Sequence, residues 1–165
     1  MTEIARIRPS ARVILLDRER RVLLFRARIP ERPGEAPRRE FWITPGGGLE
    51  GDETYEDGAK RELFEETGLS GIALGPCVWL RDDTFRFNGV LFEQHERFYL
   101  VEVESHDVTA DGHTEEELTF LRGHRWWSVD EIRASDEVFV PRDFASLVSP
   151  LVEGKVPARP LTVGR

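Results

Sequence analysis

Apolar positions come in short blocks set between charged stretches. Val13-Ile14-Leu15-Leu16 and Val22-Leu23-Leu24-Phe25 are continuous and rich in branched residues, as buried strands are. Asp17 to Arg21 between them is wholly charged, so residues 12–28 predict a β-hairpin. Ile29 to Glu40 holds Pro30, Pro33, Gly34 and Pro37 among alternating charges and reads as an exposed loop. Its arginines, Arg32, Arg38 and Arg39, could reach an anion, but a solvated loop accounts for them better. Phe41 to Thr44 predicts a short strand stopped by Pro45, after which Gly46-Gly47-Gly48 and residues 49–54 continue as loop. The period then turns helical up to about Thr67. Thr54 or Asp52 would cap it, Glu56 and Asp57 would complement its first turn, and Gly68 would stop it. Its apolar side is thin: Tyr55, Ala59, Leu63 and Phe64.

Strand character returns at Ile72 to Trp79 and Val90 to Phe92, with Asn88-Gly89 as a tight-turn signal. Glu96 to Glu104 alternates, although Tyr99 and Val101 blur the period. Ser105 to Glu117 is polar and acidic, a further loop. His124 to Ser128 predicts a final strand, Ser128 to Glu131 matches a capping box, and Asp143 to Leu151 predicts a last helix with Phe144, Leu147, Val148 and Leu151 on one side. The tail from Gly154 reads as extended or mobile. The expectation is one α/β (α+β) domain over residues 1–165, with a core of about 10–152 and a tail of 153–165.

With 39% hydrophobic and 33% charged residues the chain reads as a soluble globular protein. A net charge of -8 argues against stable nucleic-acid binding, yet leaves room for a small phosphorylated substrate, because a divalent cation can invert the local sign. Cys77 is the single cysteine, which excludes an intrachain disulfide, and it reads as a small core residue. No apolar run approaches the roughly 20 residues that span a bilayer, and no signal peptide is recognisable, so a cytoplasmic location is expected.

Candidate chemistry concentrates between Gly47 and Leu69: Gly47, five residues, Glu53, seven residues, then Arg61-Glu62-Leu63-Phe64-Glu65-Glu66-Thr67-Gly68-Leu69. On a helix Glu62, Glu65 and Glu66 share one face, where like charges repel unless a cation sits among them. Hard oxygen ligands at that spacing suit magnesium or manganese; a solvated acidic face is the ordinary alternative. This segment resembles the Nudix box at every defined position. The hairpin, the strand ending in Pro-Gly-Gly, and the tryptophan-bearing strand entering a helix extend the resemblance from about Ser10 to Ile132.

The resemblance implies an α/β/α sandwich around a mixed sheet and a metal-dependent hydrolase. Its substrate would be a nucleoside diphosphate linked to another moiety, such as a nucleotide sugar, an ADP-ribose-like compound or a dinucleoside polyphosphate. It implies Mg2+ or Mn2+ on Glu62, Glu65 and Glu66, with the backbone of Gly47 as an added ligand. Arg61 would pair with Glu53 and orient the carboxylates. Arg26, Arg28, Gly46, Gly47 and Gly48 would meet the substrate. A general base is expected from the downstream loop, among Glu115, Glu116 and Glu117 or His124, with Glu116 favoured, although a metal-activated water could dispense with it. Neither the proline of ADP-ribose hydrolases nor the tyrosine of dinucleoside-polyphosphate hydrolases is found near Phe85 and Phe87. Alternatives are a nucleoside-triphosphate pyrophosphohydrolase that removes oxidised nucleotides, and a non-catalytic nucleotide-binding regulator. A homodimer would be in keeping with the family. His95-Glu96 is no zinc motif, since Tyr99 stands where a second histidine would be needed, and of Trp126 and Trp127 one is expected in the core.

Overall fold

A computed structural model describes residues 3–28, 40–109 and 121–164. The two apolar runs lie in β1 (Arg6–Leu16) and β2 (Val22–Ala27), and each buries both of its faces. Ala11, Val13 and Leu15 join Leu23, Phe25 and Ala27 in one core, whereas Ile14 and Leu16 join Val22 and Leu24 in the other. Successive side chains of a strand point to opposite sides, so an unbroken apolar run marks a sheet covered on both faces. The turn between them closes on Asp17, whose carboxylate accepts the Arg21 N–H at 2.8 Å and Arg21 Nε at 2.9 Å.

The hairpin soon parts. Leu16 stands opposite Val22, after which each strand takes other partners. β1 pairs with β4 (Gly46–Gly48) and runs parallel to β6 (Val90–Glu102) along its whole length. β2 pairs with β3 (Phe41–Ile43) and β7 (Leu121–Trp127). With β5 (Cys77–Phe87), β8 (Val138–Phe139) and β9 (Leu161–Thr162), the described residues form one mixed sheet in the order β8-β3-β2-β1-β6-β5-β9, with β4 on β1 and β7 on β2.

Helix α1 (Tyr55–Thr67) covers one face through Ala59 and Leu63. Helices α2 (Val129–Ala134) and α3 (Phe144–Val152) cover the other through Ile132, Phe144, Val148 and Leu151. Trp127 is buried on this side, edge-on to Trp42 and Phe139 with centroids 5.1 Å from each, while Trp126 packs half-buried against the opposite core. The expected α/β/α layering around a mixed sheet is present.

Several boundaries differ from expectation. The glycine run is a strand: at Gly46 an added Cβ would lie 2.3 Å from the Ala11 carbonyl oxygen, so only glycine allows β4 to reach β1. Phe64 is 52% exposed, because Ala59 and Leu63 share the sheet side with Glu62, Glu66 and Thr67 and leave Phe64 to turn outward. Residues 72–76 lack regular structure; β5 begins at Cys77 and continues through Arg81-Asp82-Asp83-Thr84, because β6 offers an antiparallel partner there regardless of polarity. The stretches expected as separate strands at 90–92 and 96–104 are one strand, β6. The Asn88-Gly89 turn is present with positive φ at both residues, 51° and 77°. The tail adds an edge strand, β9, which pairs with β5 and buries Val163. Arg32, Arg38, Arg39, Glu115, Glu116 and Glu117 lie outside the described residues.

Candidate active site

Helix α1 starts where Thr54 Oγ1 accepts the Asp57 N–H at 3.1 Å, and ends at Gly68, left-handed at φ 83°, whose N–H reaches the Phe64 carbonyl. Between these stops the helical period turns Glu62 and Glu66 toward the sheet, where they are 8% and 4% exposed. Glu65, one step round the helix, is a quarter exposed. Two buried carboxylates stay charged only if the structure provides donors and cations.

Strand β4 provides the first of these. The Gly46 N–H donates to Glu66 Oε2 at 3.0 Å. At Gly47 an added Cβ would stand 2.6 Å from Glu62 Oε1, so the missing side chain leaves the space into which that carboxylate projects. Arg61 provides the second. Its Nε and Nη2 donate to the two oxygens of Glu53 at 2.8 and 2.9 Å, a bidentate pair, and Nη2 also reaches the Gly48 carbonyl at 3.0 Å. Its Nη1 donates to Glu62 at 3.2 Å and Glu65 at 3.1 Å. The hydrogen bond to Glu53, joined by the charges of Glu62 and Glu65, outweighs desolvation and raises the Arg61 pKa. The same bond to Arg61 holds the Glu53 carboxyl below its ordinary range.

A second guanidinium lies across β4. Arg12 of β1 packs against Gly46, donates to Glu96 Oε2 at 2.6 Å and to the Thr44 carbonyl at 2.8 Å. Burial pulls its pKa down, but Glu96, then Glu66 and Glu62, pull harder and the balance is upward. Glu96 is 3% exposed and also accepts from Arg81 of β5. Burial raises the Glu96 pKa; Arg12 and Arg81 together more than reverse it. Arg81 in turn reaches Asp83 at 3.5 Å and the Gly164 carbonyl at 3.2 Å. It opens on a cleft of about 410 Å³ lined by Glu40, Phe41, Arg81, Asp83, Val138, Val140 and Arg142.

The other expected residues are distributed as follows. Arg26 stacks over Trp42 at 4.8 Å and faces Glu40 at 3.5 Å and Glu137 at 3.8 Å, so it stands beside the cleft rather than over α1. Arg28 follows the end of β2 and is half-buried. His124, on β7, lies near Phe25 with ring centroids 6.0 Å apart. Thr109, at the entry to the segment holding Glu115, Glu116 and Glu117, donates its N–H to the Thr67 carbonyl at 3.1 Å, while Leu121 at the exit stands opposite Ala27. Sequence reasoning missed Arg12, Arg81 and Glu96. The available signal was the phase of Glu96, which shares strand parity with Phe98 and Leu100 and therefore had to point inward.

Among the described residues no three His, Cys, Asp or Glu side chains are gathered closely enough to hold a metal ion. Arg61 Nη1 stands between Glu62 and Glu65. The donor set is nevertheless the kind a hard divalent cation takes: carboxylate oxygens and glycine backbone, with the Glu62 carboxylate in the space a Gly47 side chain would fill.

A family model for the NUDIX domain matches residues 6–147. The chain belongs to the NUDIX family. Curated relatives include an RNA pyrophosphohydrolase of Erwinia tasmaniensis, 29% identical over 88% of this chain and 87% of that protein. An RNA pyrophosphohydrolase of Sphingopyxis alaskensis is 29% identical over 81% and 84%. Among solved structures, a MutT protein from Methanosarcina mazei superposes with a TM-score of 0.64 at 18% identity, covering 93% of this chain and 98% of that one. A MutT protein from Bacillus halodurans gives 0.61 at 18% identity, covering 95% and 89%. These structural likenesses establish the shared fold. The chain is thus a Nudix pyrophosphohydrolase, a family whose members generally use divalent metal ions.

Proposed function

We propose that this Nudix enzyme hydrolyses a phosphoric anhydride bond in a nucleoside diphosphate linked to another moiety, with Mg2+ or Mn2+ held by Glu62, Glu65, Glu66 and the backbone of Gly47. The observation that carries this is the pair of buried carboxylates, Glu62 and Glu66, drawn against a strand of glycines: the Gly46 N–H donates to Glu66, and Glu62 fills the space a side chain at Gly47 would take. When bound, the cation screens phosphate oxygens, polarises the phosphoryl group and acidifies water. The chain's own residues do the rest. Arg61 is clamped by Glu53 and keeps the acidic residues from pushing α1 off the sheet. Gly46 orients Glu66, and the bare backbone of Gly46 to Gly48 lets a pyrophosphate approach closely. Glu116 is proposed as the base that removes a proton from the attacking water; the last described residue before it, Thr109, bonds to Thr67, one residue beyond Glu66.

Arg26 and Arg28 are proposed to attract the anionic substrate. The cleft at Phe41 and Arg81 has the volume of a small-ligand site, which supports a small nucleotide substrate. A cytoplasmic location and a homodimer are proposed with it on the family resemblance alone. Nucleoside triphosphates remain the alternative within that class. A second reading, the 5′-pyrophosphate end of RNA, is favoured by the names of the curated relatives. The charge of -8 counts against a long polyanion.

A panel with Mg2+ or Mn2+ tests these readings: nucleotide sugars, ADP-ribose, dinucleoside polyphosphates, nucleoside triphosphates and a 5′-triphosphorylated oligoribonucleotide. Turnover confined to the oligoribonucleotide would replace the small-molecule reading. No turnover by folded protein would favour a binding module. Glu66→Gln is expected to lower kcat by roughly a hundredfold or more with the fold retained, as judged by circular dichroism.

A further inference from the structure

β5 is the last long strand on one side of the sheet, and its outer edge is only partly covered. β9 pairs with it at Trp79 and Leu80, and the Val163 N–H donates to the Leu80 carbonyl at 2.8 Å. Among the described residues no strand lies along that edge beyond this point, up to the Asn88-Gly89 turn. A strand turns the N–H and C=O of every second residue to the same side. Leu80 turns its carbonyl to β9, so Asp82, Thr84 and Arg86 turn their backbone groups outward as well. The Thr84 N–H agrees with this, since it donates to Oδ1 of neighbouring Asp83 at 2.9 Å and not to β6. Outward N–H and C=O groups along an edge are a template for a further strand.

The residues of this edge decide which strand fits it. Asp82, Thr84 and Arg86 share one face and read acid, hydroxyl, base. A second copy laid antiparallel about a two-fold axis at Thr84 sets Asp82 opposite Arg86 of the partner subunit, and the reverse, with the two threonines facing each other. Opposite charges and paired threonines are favourable cross-strand neighbours. Sliding the second copy by two residues either way brings Thr84 opposite a charged residue and loses both charge pairs. Both charges can take a second partner. The Asp82 side chain is 71% exposed, and its Oδ1 meets His95 Nδ1 at 2.8 Å, which leaves Oδ2. Arg86 is 56% exposed and bonds Glu3 through Nη1 and Nη2, which leaves Nε. On the other face Phe87 is exposed, and Phe85 stacks on Phe92 with ring centroids 5.4 Å apart. The same pairing makes the two copies of Phe85 diagonal neighbours across the axis, which carries the aromatic stack from one copy toward the other.

We propose that the open edge of β5 is a self-association surface, on which two copies of the chain pair antiparallel through Asp82 to Arg86 about a two-fold axis at Thr84. Such a contact is isologous and joins the two sheets into one. This rests on the reading of the chain as a homodimer and supplies the surface; it makes no demand on the metal reading. A contact of one strand pair with a few aromatic rings belongs with weak, reversible associations.

Sedimentation equilibrium of the full chain tests the surface, with circular dichroism to check the fold of each variant. The unsubstituted chain is expected to show a monomer–dimer equilibrium. Asp82→Arg sets like charges opposite each other at both pairs, and so does Arg86→Asp; each variant alone is expected to dimerise roughly tenfold more weakly or worse. An equal mixture of the two is expected to recover the dimer, now as a heterodimer, because two basic positions of one copy then face two acidic positions of the other. Mixing repairs neither the Glu3 pair nor the His95 pair, so a purely structural role for these charges predicts no recovery. Should a charge variant fail to fold, Thr84→Lys, at an exposed position, sets two ammonium groups against each other on the axis and is expected to weaken the dimer likewise. A dimer unmoved by these substitutions, or a mixture of folded variants that stays monomeric, would overturn the surface while leaving a homodimer through another face. An unsubstituted chain that stays monomeric up to roughly 1 mM would refute the homodimer reading and this inference together.

Discussion

At the scale of the residue, Gly46 and Gly47 are adjacent and alike in sequence but do different work. A methyl group at Gly46 would meet main-chain atoms, Ala11 O at 2.3 Å and Arg12 Cα at 2.7 Å, which cannot move without parting β4 from β1. A methyl group at Gly47 would meet the far end of a side chain, Glu62 Oε1 at 2.6 Å, which can swing aside. Gly46→Ala is therefore expected to cost about 3 kcal/mol of stability. Gly47→Ala is expected to change stability by about 1 kcal/mol or less while lowering activity roughly tenfold or more, since it displaces a proposed metal ligand. Urea unfolding and steady-state kinetics on the two variants measure both halves of the contrast. Equal unfolding midpoints would refute the difference in packing. Sequence spacing marked both glycines, but only the side on which each Cβ would lie separates structure from chemistry.

At the scale of the element, legibility followed local chemistry. The start and stop of α1 were readable because Thr54 and Gly68 act on the backbone within a few residues of themselves. The same holds for α2, where Ser128 and Glu131 form a reciprocal capping box, with the Glu131 N–H donating to Ser128 Oγ at 3.1 Å and the Ser128 N–H to Glu131 Oε1 at 2.9 Å. Ser128→Ala should destabilise the protein by about 1 kcal/mol, read as a lower urea midpoint with an unchanged slope. An unchanged midpoint would mean that packing of Ile132 alone holds this helix. The charged half of β5 was not readable, because Arg81 to Thr84 owe their extended form to β6, which follows later in the chain. The two-residue strand β9 depends likewise on a distant partner, at Trp79 and Leu80.

At the scale of the whole molecule, the sheet brings opposite charges together from both sides of β4, and this sets a response to acid. Glu53 and Glu96 have folded-state pKa values below the ordinary 4.5, Glu53 through its bond to Arg61, and Glu96 through Arg12 and Arg81 despite burial. A carboxyl whose pKa is depressed on folding stabilises the native state above its unfolded pKa, and that contribution is lost as pH falls through the folded value. The melting temperature should thus hold from neutral pH to about 5 and drop below that. The advantage of the unsubstituted chain over Glu53→Gln should be full above about pH 5 and shrink as acid protonates Glu53. Melting curves from pH 3 to 8 provide the check; an advantage independent of pH would show that Glu53 acts through shape rather than charge.

The sequence alone determined whatever depends on neighbours along the chain. Unbroken apolar runs implied strands buried on both faces, the caps bounded α1 and α2, and the i, i+3, i+4 spacing placed Glu62, Glu65 and Glu66 within one helical turn of each other. Tertiary structure decided which of those carboxylates are buried, because burial depends on which way α1 lies on the sheet. It alone also brought Arg12 and Glu96 together, residues separated by 84 positions. Their pairing is a consequence of the parallel register of β1 on β6, which sets Arg12 opposite Phe98 and Ser10 opposite Glu96. Parallel register is fixed by long-range packing and leaves no local mark, so the charge behind the glycine strand became visible only once the sheet had formed.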